Sequence, residues 1–244
     1  MTSSKGFRGS ILVLSVLLWV LGFGTWDLGF DDASAQSKEP RLLVILVADQ
    51  FRADYLERYE HRWRHGIRTF LDQGGRFTRA EYGYSNTTTC AGHTTIATGV
   101  LPRTHGIVLN RWWHHEEKML LQCMEDTAAP HVAYGGKPVG GSSPKRILVP
   151  TLADQLRAQR PGTRIVSLSL KARGAIPLAG KAGDAVVWFD EPSFAFVTSQ
   201  AFAKEPVSAV RGFITRNPPE QDLGKAWTLH DREDTYKQPD LGMG

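Results

Sequence analysis

Cysteine is scarce in this sequence: there are two, Cys90 and Cys123, and neither sits in a CxxC spacing. Two cysteines cannot build the dense disulfide framework of a small secreted scaffold. They either pair in an oxidising compartment or remain separate buried thiols, and the residues leave both readings open. A surplus of one charge is also missing. The 29 basic and 25 acidic residues leave a net charge of +4, without the concentrated basic stripe of an electrostatic nucleic-acid binder, so no nucleic-acid partner is expected. Two phosphate and hydrolase signatures are absent as well. The glycine-rich stretch Tyr134 to Gly141 lacks the GK[ST] ending of a P-loop, and there is no GxSxG nucleophile elbow. No internal repeat is visible. With 41% hydrophobic and 10% aromatic residues the chain is neither disordered nor low-complexity, and its length suits one domain or two small ones.

What is present begins with an export signal. Lys5 and Arg8 precede the apolar run Ile11 to Phe23, and Ala33-Ser34-Ala35 offers a small-residue cleavage site before Gln36. Residues 1–35 are therefore expected to be a signal peptide, and the protein periplasmic or secreted. An uncleaved membrane anchor is the alternative, because Asp27, Asp31 and Asp32 interrupt the path to the cleavage site.

Residues 36–244 alternate between strand and helix patterns. Seven apolar residues run from Leu42 to Ala48 and end at Asp49, which suits a parallel strand buried on both faces. Helices are expected from His61 to Gln73, from Cys90 to Thr98 before Gly99, from Pro150 to Arg157 and from Pro206 to Arg216. Further strands are expected at Phe77–Tyr84, Thr163–Leu170, Asp184–Phe189 and Phe194–Thr198, while the chain beyond Asn110 reads as irregular. This alternation predicts an α/β fold with a mainly parallel central sheet flanked by helices. Sites in such sheets lie at the carboxyl ends of strands, where Asp49, Thr89, Lys171 and Arg173 fall.

Each of those residues has a chemical use and a plain alternative. Asp49 is placed to ligate a hard cation, or simply to cap the residues after it. Thr89 opens a helix, where backbone N–H groups and the helix dipole favour an anion. Its hydroxyl is a weak nucleophile that needs a metal or a base, and the plain reading is a helix cap. Asn110 suits either an amide donor to an oxyanion or a surface turn. Lys171 and Arg173, two apart on an expected extended segment, point the same way and match a dianionic group, or form a solvated basic pair. His114-His115 beside Glu116-Glu117 reads as surface, and Trp112-Trp113 as packing.

Three segments carry a family resemblance: Leu46-Val-Ala-Asp49-Gln-Phe-Arg52, Thr89-Cys-Ala-Gly-His-Thr-Thr-Ile-Ala-Thr-Gly99 and Pro102-Arg-Thr-His-Gly-Ile-Val-Leu-Asn110. Together they resemble the N-terminal part of the alkaline phosphatase superfamily, in its type I phosphodiesterase/nucleotide pyrophosphatase branch. Lys171-Ala-Arg-Gly-Ala-Ile-Pro-Leu-Ala-Gly180 is similar to the secreted zinc-dependent alkaline phosphatases that use a threonine nucleophile. The resemblance runs from about Arg41 to Thr198. It implies that Asp49 and Thr89 are zinc ligands and that Thr89 attacks phosphorus to give a phosphothreonine intermediate. It also implies that Asn110, Lys171 and Arg173 hold the phosphate oxygens of small phosphate esters.

The resemblance also implies two zinc ions held by three Asp and three His, of which only Asp49 is identifiable. After Thr198 the sole histidine is His230, and His230-Asp231 reverses the order of the family's Asp-His element. Residues 36–244 are thus expected to be the N-terminal portion of an alkaline phosphatase-like domain, with the C-terminal part of the fold missing and with little or no activity alone. The rival readings are a phosphodiesterase or nucleotide pyrophosphatase of the same branch, and a non-catalytic exported anion-binding fragment.

Overall fold

The computed structural model describes residues 40–226 and 228. The expected signal peptide and its cleavage site lie outside them, as does His230. Among the described residues no helix is long and apolar enough to cross a membrane. The chain divides into two compact units, residues 1–46 and 47–244. In the first, Leu42, Leu43, Val44, Ile45 and Leu46 are exposed. The strand expected over Leu42–Ala48 is absent, since these residues have no regular secondary structure. An apolar run becomes a strand only when a neighbour takes up its N–H and C=O groups, and no described residue does so here.

The second unit opens with short helices α1 (Tyr55–Arg58) and α2 (Gly66–Gln73), with a 3-10 turn at Glu60–Arg62 between them. The one long helix expected from His61 is therefore broken. Phe77–Tyr84 is turn and coil rather than a strand. Next come α3 (Thr89–Thr98) and α4 (Pro102–His105), the hairpin β1 (Arg111–His114) and β2 (Met119–Gln122), and then β3 (Glu125–Ala133) and β4 (Gly141–Ser142). The region after Asn110 is thus ordered, and these strands were missed because turn-forming and charged residues interrupt their alternation. The remaining elements are α5 (Leu152–Gln159), β5 (Val166–Ser169), α6 (Ala172–Ala179), β6 (Ala185–Asp190), β7 (Ala195–Ser199), α7 (Ser208–Arg216) and a final 3-10 turn at Pro219–Asp222.

The five-stranded sheet runs β4-β3-β7-β6-β5 and is mixed, with one parallel pairing, β5 to β6, beside three antiparallel ones. This corrects the expectation of a mainly parallel sheet. Among neighbouring strands of this sheet, only β5 and β6 are joined through a helix, α6. β7 follows β6 after the short turn Glu191 to Phe194, and a turn that tight forces an antiparallel neighbour. Ala185 to Trp188 of β6 are all buried, as expected of a strand covered on both faces. In β5 the usual alternation is inverted: Val166 and Leu168 are exposed, while Ser167 is buried and its hydroxyl donates to the Ala175 carbonyl at 2.7 Å.

The core is built on small residues. Cys90, Ala91, Gly92, His93, Thr94 and Ala97 of α3 are buried, and α3 packs on α6, where Gly174, Ala175, Ile176 and Ala179 are buried. Helix α3 stops at Gly99, whose φ of 70° suits a residue without Cβ. Helix α5 starts with a reciprocal cap. The Asp154 N–H donates to Thr151 Oγ1 at 3.2 Å, and the Thr151 N–H donates to Asp154 Oδ2 at 2.9 Å. Cys90 and Cys123 form a disulfide across 33 residues of sequence. A loop of that size is worth about 3–4 kcal/mol of stability in the chain-entropy account.

Two buried titratable groups, His105 and Asp126, and the half-buried His131 make this core sensitive to acid. Burial pushes the imidazoles of His105 and His131 below their ordinary value of 6.5. Burial raises the Asp126 carboxyl, but hydrogen bonds from Lys145, Ser143 and the Ala128 N–H outweigh it and leave the group below 3.8. In all three the unfolded chain binds the proton first, so stability is lost as pH falls. Urea unfolding should therefore give a flat plateau from about pH 7 up to the tyrosine range near 10, a decline beginning as pH falls through 6.5, and a second decline below 3.8. His105→Gln should remove part of the first decline only. A stability that rose between pH 7 and pH 5 would contradict this account.

Candidate active site

Thr89 is the first residue of α3. Its hydroxyl donates to Asp49 Oδ2 at 3.0 Å, across 40 residues of sequence. Asp49 is exposed, in a turn beside Gln50, whose φ is 58°. The pair therefore lies at the surface, with the hydroxyl hydrogen directed at the carboxylate.

The first turn of a helix has N–H groups without partners inside the helix. Thr88, in the N-cap position, makes no side-chain cap bond, and its hydroxyl is buried with no hydrogen-bond partner among the described residues. Asn110 supplies the cap instead: the Cys90 N–H donates to Asn110 Oδ1 at 2.8 Å. Because the oxygen of the carboxamide accepts here, its NH2 group faces the other way, with two hydrogens to donate. Asn110 is thus both a long-range cap and a donor beside Thr89. Its backbone oxygen accepts from the Cys123 N–H at 2.8 Å.

Two histidines brace the helix. His93 Nδ1 lies 2.7 Å from the Thr89 carbonyl, so that nitrogen carries the hydrogen. The Ile107 N–H donates to His105 Nδ1 at 3.1 Å, which leaves His105 Nε2–H to donate to Thr95 Oγ1 at 3.0 Å. The lowered basicity of His105 keeps it in this neutral form.

Lys171 and Arg173 do not lie on an extended segment as expected. Lys171 is the N-cap of α6 and Arg173 its second residue, so strand alternation does not set their directions. No described hydrogen bond or ion pair joins them to Asp49, Thr89 or Asn110; what relates them is the packing of α6 on α3. Lys171 Nζ stands 3.9 Å from Glu191 Oε1, with both side chains more than half exposed, a pairing of little strength. Arg173 Nε is buried with no hydrogen-bond partner among the described residues.

Of the residues read as surface, His114 accepts the Glu117 N–H in the hairpin turn and Glu117 pairs with Arg146 at 3.1 Å; of the two tryptophans read as packing, Trp112 packs against the core and Trp113 is exposed. Sequence reasoning missed the bracing of the site by His93 and Cys123. Position alone gave one signal: His93 is one helical turn after Thr89.

Among the described residues no three His, Cys, Asp or Glu side chains form a group able to hold a metal. Asp49 and Thr89 offer two ligand side chains, whereas a catalytic zinc takes three protein ligands and an open position. The described residues therefore do not complete the zinc centre that the resemblance implies.

Residues 43–243 match the family described as type I phosphodiesterase / nucleotide pyrophosphatase. The chain is 35% identical over 190 residues to the alkaline phosphatase PafA of Elizabethkingia meningoseptica, covering 77% of this chain and 35% of that protein. It also resembles the crystal structure of wild-type PafA, with a TM-score of 0.73 and 33% identity over 78% of this chain and 37% of the other. A PafA variant in which a threonine is replaced by serine, and an asparagine, a lysine and an arginine by alanine, matches with a TM-score of 0.72 at 31% identity over the same shares. The chain thus spans about a third of the length of the relative it matches, and its fold is that part of an alkaline phosphatase-like fold. It belongs to the type I phosphodiesterase / nucleotide pyrophosphatase family.

Proposed function

We propose that this chain carries the nucleophile and phosphate-binding part of an exported hydrolase of phosphate monoesters. The observation that carries the reading is the Thr89 hydroxyl held on Asp49 at the N-terminus of a buried helix, with the Asn110 carboxamide against the next residue. The family membership supports phosphoester chemistry. The four residues substituted in the PafA variant are of the same kinds, in the same order, as Thr89, Asn110, Lys171 and Arg173, which supports the set.

In this reading Thr89 Oγ attacks phosphorus in line. A bond forms from that oxygen to phosphorus, the bond to the ester oxygen breaks, and the hydroxyl proton passes through the Asp49 carboxylate to the departing oxygen, which leaves as the alcohol. Water then attacks the phosphothreonine: its oxygen stays on the freed phosphate, the bond from phosphorus to Thr89 Oγ breaks, and one water proton restores the Thr89 hydroxyl. The α3 N-terminus and the Asn110 NH2 group stabilise the non-bridging oxygens, and Lys171 and Arg173 neutralise the second negative charge that distinguishes a monoester from a diester. Zinc and a two-ion centre belong to the reading through the family resemblance alone. Asp49 and Thr89 do not complete such a centre, and no step here passes through it. Export is supported by the Cys90–Cys123 disulfide, a bond typical of oxidising compartments.

Titration calorimetry with inorganic phosphate tests the binding half. Phosphate dianion should bind more tightly than dimethyl phosphate. Lys171→Ala and Arg173→Ala should each weaken phosphate by about 10–100-fold, the size of one charge-assisted hydrogen bond. Equal affinity for the two ligands would favour the diesterase reading, for which the family description speaks, and no binding of either would sink both.

The chemical half is tested by p-nitrophenyl phosphate hydrolysis. The 244-residue chain should show little or no turnover, because its described residues supply two of the three ligands that a catalytic zinc needs. Robust turnover abolished in Thr89→Ala would confirm the nucleophile and refute the inactivity.

A further inference from the structure

The disulfide sits where it does more than close a loop. Cys90 follows Thr89 directly, and both cysteines are buried, at 0% and 1% exposure. Asn110 is tied to both of them, to Cys90 through its side chain at 2.8 Å and to Cys123 through its backbone oxygen at 2.8 Å. Two hydrogen bonds and one covalent bond thus close a ring through Cys90, Asn110 and Cys123.

The ring matters because of where Asn110 is rooted. It lies at the open end of the β1–β2 hairpin, just before Arg111, which pairs with Gln122. The Cys123 N–H continues that ladder by one rung. The hairpin is a two-stranded sheet of its own, outside the five-stranded sheet, and such a hairpin has little stability by itself. Among the described residues, the disulfide is the covalent tie between its open end and α3.

We propose that Cys90 and Cys123 are positioning residues, whose disulfide holds the Asn110 carboxamide against the start of α3 beside Thr89. The proposal rests on the reading of Asn110 as a phosphate donor for its consequence, and on the geometry alone for its mechanism. Reduction adds two electrons and two protons and gives two thiols in place of the bond. The hairpin end is then held at α3 by packing and a single side-chain hydrogen bond. The Asn110 NH2 group loses its fixed direction, and affinity for phosphate falls while the sheet stays folded.

Amide hydrogen exchange, followed residue by residue in the full 244-residue chain, tests this. The comparison is between the oxidised protein, the protein reduced with a phosphine, and Cys90→Ala/Cys123→Ala. The amides of residues 90 and 123 should exchange at least about fivefold faster without the disulfide, relative to the amides of β6 and β7, as for the loss of one neutral hydrogen bond. Reoxidation should restore them. If all amides accelerate together, or residue 90 stays as slow as in the oxidised protein, the disulfide is a stability staple only and the proposal is wrong.

Phosphate titration separates the two layers of the argument. Loss of the disulfide should weaken inorganic phosphate about as much as Asn110→Ala does, and combining the two should add nothing further. If Asn110→Ala weakens phosphate and loss of the disulfide does not, the positioning role falls while the function stands. If Asn110→Ala leaves phosphate affinity unchanged, the phosphate role of Asn110 falls, and the exchange rate at residue 90 still decides the brace.

Discussion

A helix that begins inside a protein must have its first N–H groups satisfied, and in α3 that demand is met from twenty residues away by the Asn110 side chain. The geometry around Thr89 follows from this cap. Thr88 occupies the local capping position without making the bond. The carboxamide that replaces it spends its oxygen on Cys90 and is left with two donors beside a hydroxyl already oriented by Asp49. Capping and oxyanion binding thus share one residue, because a carboxamide has an acceptor on one side and donors on the other.

The second constraint is close packing of α3 on α6. Small side chains line the buried faces of both helices. This packing joins the segment bearing Lys171 and Arg173 to the helix bearing Thr89, although no described hydrogen bond spans them. The passage from β5 into α6 is itself tight: a Cβ at Gly174 would lie 2.3 Å from Ser169 Oγ. The Arg173 Nε–H, buried beside that passage with no partner among the described residues, costs stability.

The parts of the fold legible in the sequence were those with strong local signals. Helix α3 was read to within one residue, because small residues end in Gly99 and a threonine precedes them. Helix α7 and strands β6 and β7 were also readable, from apolar runs bounded by Glu191-Pro192 and Asn217-Pro218. The hairpin and β3 were not. Strands that pair with partners across a turn, and that carry charged residues such as Glu125 and Asp126, lack the alternation from which a strand is recognised. The run Leu42–Ala48 shows the opposite error: its composition is that of a buried strand, but pairing is a property of two segments and not of one.

The site divides in the same way. Asp49, Thr89, Asn110, Lys171 and Arg173 were nameable as candidates because their residue types and spacing carry the family pattern. Sequence by itself determined the chemistry available, namely a hydroxyl, a carboxylate, a carboxamide and two cations, together with the local helix that presents the hydroxyl. Tertiary structure alone decided that Thr89 meets Asp49, that Asn110 caps α3, that Cys90 and Cys123 are bonded, and that Lys171 and Arg173 open a helix instead of ending a strand. The physical reason is range: helix propensity and capping act over about one turn of chain, whereas these contacts join residues 20 to 40 apart, and only the packed core brings those together.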